Sequence, residues 1–385
     1  MDNTDGGAVD SLALLAMNDI EAFWKEQYPN AFGGPLHPVT MLLSVDPADP
    51  FSPSVCGASP EQITGNAAYC GNHNSITWDR SAETGVLSIG RKYFGEMAAV
   101  GILAHEYGHA IQQQAGLPEI DDTLVAEQQA DCFAGVYLRS VAEGHSPRFM
   151  LSTGDSPFGL NYLLAGILVL RDPLSTPGDL ALVPNPHGSG LDRVAALQVG
   201  FEQGTDSCAQ IDAAEVSKRR GDLPRALFDP LSENSDITVD ESSLSSLTEV
   251  LQQTFHPSQP PAVTTGSATC SGGPPAKFAA YCSSSNTVMV DLAALQQIAT
   301  PADEQNRVLL QGDNTALSLV TSRYVIALQR ERGLELDTPA AAMRTACLTG
   351  VAQREMAQPM SITSGQGLTL GAGDLDEAIA GLLTN

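Results

Sequence analysis

The motif H-E-x-x-H lies in an apolar stretch of the chain, with histidines at His105 and His109 and an acid at Glu106. Residues four positions apart on an α-helix lie one turn apart on the same face, so both imidazoles can reach one metal ion. Zn²⁺ suits this pair because it accepts nitrogen, oxygen and sulfur ligands in tetrahedral geometry. Glu106 would then lie beside the metal, where a carboxylate can take a proton from metal-bound water. The apolar flanks predict that this helix is buried.

A second helical pattern downstream supplies a third ligand for the predicted zinc site. Glu127 and Asp131 stand one helical turn apart in the run 125–135. Glu127 can be the third protein ligand, which leaves the fourth position for water, as a catalytic zinc site requires. Asp131 can accept the outer N–H of a ligating imidazole and fix its tautomer. The alternative is a pair of exposed helical histidines with solvated acids.

The combined spacing resembles that of the gluzincin metallopeptidases, in which H-E-x-x-H is followed by E-x-x-x-D. The fuller strings AHEYGHAIQ and EQQADCFAG resemble the bacterial neutral zinc metallopeptidase family. This resemblance covers residues 10–210 well and residues 240–385 only weakly. It implies a zinc-dependent endopeptidase that hydrolyses peptide bonds through metal-activated water, with Glu106 as the general base.

A loop that contains glycine and proline carries a further histidine with a predicted role. His187 precedes a predicted helix that contains Arg193, and such loops often carry mobile functional side chains. The family has a similar H-G-S/T-x-x-x-R element, and gluzincins commonly use an extra His or Tyr to stabilise the tetrahedral oxyanion. The resemblance therefore implies a catalytic role for His187, as a donor to charge that develops in the transition state, with Arg193 as a structural or orienting partner. An ordinary loop histidine is the alternative.

The predicted elements around these motifs are helices and short strands. Apolar spacing predicts a helix from Ser11 to about Tyr28, ended by residues 29–34, and another over 159–170. Residues 39–45 and 74–79 have the pattern of short strands. The resemblance implies that 74–79 forms the edge strand along which gluzincins align an extended peptide, because main-chain pairing can hold substrates of variable sequence.

Composition excludes several classes of function. A chain of 385 residues suggests two domains. Its net charge of −26 argues against nucleic-acid binding, which needs a basic surface. No apolar run reaches the length of about 18 residues that a membrane span needs, and the first residues are acidic and polar, unlike a signal peptide. The expected partner is a protein or peptide substrate.

The second half of the chain resembles a degenerate copy of the first. Matching segments occur in the same order in both halves, and they are 67–70 with 279–282, 74–79 with 286–291, the metal helix with 320–329, and 132–136 with 347–351. The functional residues differ, because His105, Glu106, His109, Glu127 and Asp131 align with Ser322, Arg323, Ile326, Ala342 and Ala346. Chance similarity between two halves rich in alanine and leucine is the alternative.

These patterns together predict an α+β protein of two domains. A gluzincin-like zinc peptidase domain is expected at residues 1–212 and a connecting segment at 213–236, where apolar periodicity is lost. A degenerate pseudo-peptidase domain without the metal site is expected at 237–385, because packing residues persist there while the chemistry is gone.

The seven cysteines bear on the compartment. Two pairs, Cys56 with Cys70 and Cys270 with Cys282, bracket equivalent loops and lack the C-x-x-C spacing of a zinc ribbon. This pattern favours disulfides and a location outside the cytoplasm, secreted or anchored to the membrane, with the export or anchor segment outside this sequence. Buried reduced thiols are the alternative.

The proposed internal copy also suggests how the remaining three cysteines are paired. Cys132 could pair with Cys208, which leaves its counterpart Cys347 without a partner. Cys347 is then either a free buried thiol or a sign that the natural unit is longer.

Two functions follow from these predictions. The first is a zinc endopeptidase, and the second is a cell-envelope scaffold with structural zinc and a partner surface on its C-terminal domain. The intact Glu106 favours the enzyme, since a structural zinc has no use for a general base.

Overall fold

Helices predominate in the computed structural model, and short strands make it a mixed α+β protein, as predicted. The structure describes residues 1–117, 123–152, 159–169, 171, 187–221, 223, 237–300, 311–358, 360–363 and 367–383. The described residues divide into two compact units. Those within 1–171 and 187–219 form the first unit, and those from 220 to 383 form the second.

The first unit contains both predicted metal-binding segments. Its helices are α1 (Ala8–Phe32), α2 (Val86–Phe94), α3 (Glu96–Ala115), α4 (Thr123–Ala142), α5 (Leu160–Val169), α6 (Gly190–Gln203), α7 (Thr205–Ala209) and α8 (Ala213–Arg220). Its strands are β1 (Met41–Val45), β2 (Ala67–Cys70) and β3 (Ser75–Asp79), with short 3₁₀ turns at Pro60–Ile63 and Gly71–His73.

Helix α1 continues through Pro29, where the sequence predicted its end. The helix stops at Gly33, whose φ of 72° is unfavourable for other residues, and the Gly33 N–H still bonds to the Pro29 carbonyl at 3.1 Å. Proline in the last turn removes one helical hydrogen bond. Burial of Trp24 and Tyr28 on the same helix favours keeping that turn folded.

The sheet of the first unit has the order β1-β3-β2. Strand β3 runs parallel to β1 and antiparallel to β2, so it is the central strand. The predicted edge-strand role of residues 74–79 is therefore wrong, because both sides of β3 are already paired. Strand order is set by long-range packing that a local pattern does not encode. The strand at the edge beside α3 is β2.

The core of the first unit surrounds α3. Leu103, Tyr107 and Ile111 of α3 are fully buried and belong to one cluster with Trp78 of β3 and Phe133 of α4. This packing fixes the helix that carries H-E-x-x-H, because its apolar face cannot rotate away from the sheet and α4.

The second unit likewise begins with a helix and three strands that are followed by helices, but its described residues form five helices against eight in the first unit. Its helices are α9 (Glu241–Phe255), α10 (Leu292–Ile298), α11 (Asp313–Glu331), α12 (Pro339–Met356) and α13 (Ala372–Leu383), and its strands are β4 (Ala262–Thr265), β5 (Ala279–Cys282) and β6 (Thr287–Val290). Its sheet has the order β4-β6-β5, with β4 parallel and β5 antiparallel to β6.

The connection expected at residues 213–236 begins with a helix of the first unit. Val216 of α8 is buried in the core of that unit. Residues 222 and 224–236 lie outside the described residues.

Three disulfides join Cys56 to Cys70, Cys132 to Cys208 and Cys270 to Cys282, as predicted. Such bridges are typical of an oxidising environment outside the cytoplasm. Cys347 is a free thiol and is exposed, so its predicted burial is wrong. Within the ranges that the structure describes, no helix is both long and apolar enough to cross a membrane.

Candidate metal centre

The candidate site lies where α3 and α4 cross closely. Gly108 makes this approach possible, because a Cβ atom there would lie 2.6 Å from the Ala130 carbonyl oxygen. The crossing brings Glu127 and Asp131, which are one turn apart on α4, against the histidine face of α3. Local helical spacing and one close helix contact thus assemble the site.

The structure brings the three predicted ligands together. Donor atoms of His105, His109 and Glu127 all lie within 4.8 Å of one another. Glu127 Oε2 is 3.1 Å from His105 Nε2 and 3.5 Å from His109 Nε2. His105 and Glu127 are only 4% and 7% exposed, so these atoms converge in a place that is shielded from water.

Two of these atoms lack hydrogen bonds. Among the described residues, neither the buried Nε2 of His105 nor the buried Oε2 of Glu127 has a hydrogen-bond partner. An unsatisfied buried polar group destabilises a fold by about 1–3 kcal/mol. A cation between them would satisfy both, and a set of two imidazoles and one carboxylate is a donor set of catalytic zinc sites. The residues present therefore fit zinc.

Asp131 holds the other side of His105. Its Oδ1 lies 2.7 Å from His105 Nδ1, and its carboxylate accepts two hydrogen bonds from Arg193. Burial alone would raise the pKa of Asp131, but Arg193 and His105 outweigh it and hold that pKa well below its usual range. An ionised Asp131 favours a proton on Nδ1, which directs the Nε2 lone pair at the ligand position.

Charged neighbours also shift the pKa values of the candidate ligands. Burial opposes protonation of His105, yet Asp131 and Glu127 prevail and raise its pKa to about 10. Burial would raise the pKa of Glu127, but the neighbouring imidazoles of His105 and His109 outweigh it and lower that pKa strongly. Without metal, the cluster is therefore stabilised as a protonated imidazole between carboxylates.

Glu106 lies outside the ligating group, on the side facing β2. It is buried, and its Oε2 accepts a hydrogen bond of 2.8 Å from the main-chain N–H of Tyr69. The main chain of β2 thus orients the carboxylate and leaves it free of metal ligation.

His187 is placed at the rim of the cluster by the start of α6. Ser189 caps this helix through a reciprocal pair of hydrogen bonds with Asp192, which fixes how the chain enters it. His187 Nε2 lies 3.7 Å from Glu127 Oε2, and its side chain is about one-third exposed. The predicted loop histidine therefore lies next to the group of candidate ligands.

Helix α6 reaches α4 because both carry glycine at the contact. A Cβ atom at Gly135 would collide with the Leu197 carbonyl oxygen, and one at Gly200 would collide with the Cys132 carbonyl oxygen. This contact brings Arg193 to Asp131. The Cys132–Cys208 disulfide joins α4 to α7, the short helix that follows α6.

Sequence reasoning missed two groups at the site. Gln112 Oε1 lies 2.8 Å from His109 Nδ1, and it takes the place that Asp131 Oδ1 has beside His105 Nδ1 at 2.7 Å. Its position three residues after His109 places it on the same helix face, so the spacing could have identified it. The Tyr69 amide had no such signal, because a main-chain donor leaves no trace in residue type.

The aligned positions of the second unit differ in chemistry. Arg323, aligned with Glu106, donates from Nε to the Ala279 carbonyl oxygen of β5 at 3.2 Å. Ala342 and Ala346, aligned with Glu127 and Asp131, are exposed and cannot ligate metal.

A different acidic group lies in the second unit. Asp313, Asp374 and Glu377 place carboxylate oxygens within 4.8 Å of one another. Its oxygen-only donors differ from the imidazole-containing set of the first unit and do not favour zinc.

Comparisons with known proteins give little further information. No family model matches the chain, and no solved structure matches it. "Uncharacterized protein YpfJ" of Escherichia coli K12 is 29% identical over 126 residues, which cover 29% of this chain and 42% of that protein. The protein of the same name from E. coli O6:H1 strain CFT073 matches to the same extent. The chain thus spans less than half the length of these curated relatives, whose name gives no activity.

Proposed function

We propose that the protein is a zinc-dependent endopeptidase of the gluzincin type, similar to the bacterial neutral zinc metallopeptidases. The observation that carries this proposal is the convergence of His105, His109 and Glu127 on one buried position, with Glu106 beside it but outside the ligating group. A purely structural site would need no such carboxylate.

His105, His109 and Glu127 would hold the zinc, which when bound supplies a Lewis acid that lowers the pKa of water to about 7. Glu106 takes a proton from water and later passes it to the leaving amine. The Tyr69 N–H keeps this carboxylate in position during both transfers. His187, at the rim, donates a hydrogen bond to the developing oxyanion.

The substrate would lie along β2. This strand is at the edge of its sheet, and the Tyr69 N–H bonds to Glu106 rather than to β3. An extended peptide that pairs with this edge would pass the general base with its main chain held and its side chains free to vary. Protein or peptide substrates of varied sequence are therefore proposed.

The test is replacement of Glu106 by glutamine, which removes the base and keeps the shape. With a quenched fluorescent peptide mixture as substrate, Glu106→Gln should lower kcat by about 10²–10⁴-fold, while zinc per chain stays unchanged. The matched control is Glu96→Gln, because Glu96 lies in the exposed first turn of the same helix. Equal activity of wild-type protein and Glu106→Gln would refute the assignment.

The second unit is proposed to be a degenerate copy of the first. The two sheets share their strand order and directions. Asn74 and Asn286, which precede the central strands, both adopt left-handed conformations with φ of 45° and 49°. Gly116 and Gly333, which lie just after the C-terminal ends of α3 and α11, have φ of 60° and 68°. Agreement at such unusual backbone positions supports common ancestry of the units over chance similarity.

One observation favours the scaffold alternative. His187 Nε2 is nearly as close to Glu127 Oε2 as His109 Nε2 is, at 3.7 Å against 3.5 Å. If His187 were a fourth ligand, the zinc site would be closed, as structural sites are. His187→Ala would then lose zinc, whereas the proposed enzyme would retain zinc and lose kcat. The scaffold would use its second unit to bind a cell-envelope protein.

The disulfides support an extracytoplasmic site of action for either function. A secreted or membrane-anchored protein would meet both its zinc and its substrates there.

A further inference from the structure

The free thiol of Cys347 lies in a groove of the second unit. The groove has a volume of about 590 Å³ and is bounded by the C-terminal ends of α9 and α11 and by one face of α12. Its apolar walls include Leu328, Leu334 and Leu348, and two arginines, Arg332 and Arg344, also line it.

The first unit shows a short chain segment in the corresponding place. There Cys132 of α4 is bonded to Cys208 of α7. Gln129 of α4 donates from Nε2 to the Ile211 carbonyl oxygen at 2.6 Å, and Ile211 is buried in the core. The segment Thr205–Ile211 therefore covers this part of α4 with a cysteine and, three residues later, an aliphatic side chain.

Hydrogen bonds fix the correspondence between α4 and α12. Gln112 Nε2 donates to the carbonyl oxygen of Ala126, and Gln329 Nε2 donates to that of Ala341. With this register, Cys347 corresponds to Cys132 and Arg344 to Gln129.

Helices α4 and α12 differ in what packs against them. Gly135 of α4 is packed closely against the Leu197 carbonyl, whereas a Cβ atom at the corresponding Gly350 of α12 would meet nothing within 4 Å. Met343 on the same helix is 75% exposed. Exposed apolar residues of this kind beside a groove are typical of an interaction surface.

We propose that the groove at Cys347 binds a polypeptide segment of the same chemistry as Thr205–Ile211, with a cysteine that forms a disulfide with Cys347 and an aliphatic residue three positions later. This inference rests on the proposal that the second unit is a copy of the first. The groove lining has two arginines, Arg332 and Arg344, against one acid, Glu331. This excess of positive charge favours an acidic residue near the cysteine, as Asp206 is in the first unit.

The bond forms by thiol–disulfide exchange. The Cys347 thiolate attacks the partner cysteine while that cysteine is in a mixed disulfide with a small thiol. A new S–S bond forms, the old one breaks, and the small thiol leaves as its thiolate. The mixed disulfide of the partner cysteine supplies the oxidising equivalent, so no further electron acceptor is needed.

The probe is a synthetic peptide with the sequence of residues 205–212, its cysteine carried as a mixed disulfide with thionitrobenzoate, whose release is coloured. With the full chain, release should saturate with peptide concentration and be at least about tenfold faster than with a scrambled peptide, a difference of about 1.4 kcal/mol. Cys347→Ser should abolish release.

Two matched variants separate groove binding from simple thiol exposure. Leu334→Asp changes the groove wall and should slow the peptide reaction to the scrambled rate, whereas Val351→Asp, on α12 outside the groove lining, should leave it unchanged. Both variants should react normally with a small aromatic disulfide, which shows that the thiol itself is unchanged, and their circular dichroism should match that of the wild-type protein, which shows that they are folded.

Equal, unsaturable rates with both peptides would overturn the proposal and leave Cys347 as an exposed thiol only. Disulfide-linked dimers of the chain without a preference for the peptide would overturn it in favour of a second copy. Neither result would alter zinc content or peptide hydrolysis, so failure here is distinguishable from failure of the proposed peptidase.

Discussion

Arg193 holds the carboxylate of Asp131 through two hydrogen bonds, from Nε to Oδ2 at 3.0 Å and from Nη2 to Oδ1 at 2.9 Å. The same carboxylate contacts the Nδ1 of His105 at 2.7 Å. A planar guanidinium fixes a carboxylate in orientation as well as in charge. The orientation of a proposed zinc ligand on α3 therefore depends on a residue of α6.

Replacement of Arg193 by lysine should weaken zinc binding, because lysine keeps the charge but loses the two-point contact. Partners of this kind typically contribute 10–100-fold to metal affinity, and we expect a loss of about that size. Competition with a chromophoric chelator measures it. Arg148→Lys, which alters an ion pair with Asp19 instead, is the control and should bind zinc normally. Normal affinity in Arg193→Lys would mean that Asp131 needs no guanidinium.

Protein purified without added metal should contain one zinc per chain by elemental analysis. His109→Ala should lose it, because two remaining ligands hold zinc poorly. His145→Ala serves as the control, since His145 is exposed on the surface. Two zinc ions per chain, or zinc retained in His109→Ala, would contradict the assignment of the site to the first unit.

Zinc binding should release a proton at neutral pH. The pKa of His105 is raised to about 10 against its ordinary value of 6.5, so the metal-free imidazole is protonated at pH 7 and must lose that proton to ligate zinc. Apparent zinc affinity should therefore rise with pH until about pH 10. Calorimetry in buffers of different ionisation enthalpy counts the protons. Affinity that is flat between pH 6 and 9 would be inconsistent with a protonated His105.

Gly135→Ala and Gly350→Ala should have opposite effects on stability. The added methyl collides with the Leu197 carbonyl at Gly135 and meets open space at Gly350. We expect Gly135→Ala to destabilise the first unit by about 1–3 kcal/mol and Gly350→Ala to stabilise α12 by about 0.5–1 kcal/mol.

The tryptophans allow the stability effects of these two substitutions to be measured separately. The chain has two, Trp24 and Trp78, and both are buried in the first unit. Tryptophan fluorescence during urea unfolding should therefore shift to lower midpoint in Gly135→Ala and stay unchanged in Gly350→Ala, whose effect is followed by circular dichroism. An unshifted midpoint in Gly135→Ala would show that α4 and α6 can separate without loss.

The sequence predicted features that depend on local spacing. The positions of His105, His109 and Glu127 follow from helical periodicity, and the cysteine pairs follow from the internal similarity of the halves. Strand β3 was predicted as a strand but misplaced at the edge, because neighbours in a sheet are chosen by packing over the whole unit.

Other features could not be read from residue type. The contact between the Tyr69 N–H and Glu106 is made by the main chain. Continuation of α1 past Pro29 reflects burial of its apolar face against a small local penalty. The exposure of Cys347 depends on what packs against α12, which no local pattern specifies.

The Cys132–Cys208 bond spans 76 positions of the chain. A single proteolytic cut between these cysteines would produce two fragments that stay covalently attached. Helix α4, which carries Glu127, would stay bonded to α7 through this disulfide. On a gel without reducing agent, the cut molecule would migrate like the intact one. Maturation by internal clipping would therefore be invisible on a non-reducing gel and revealed only after reduction.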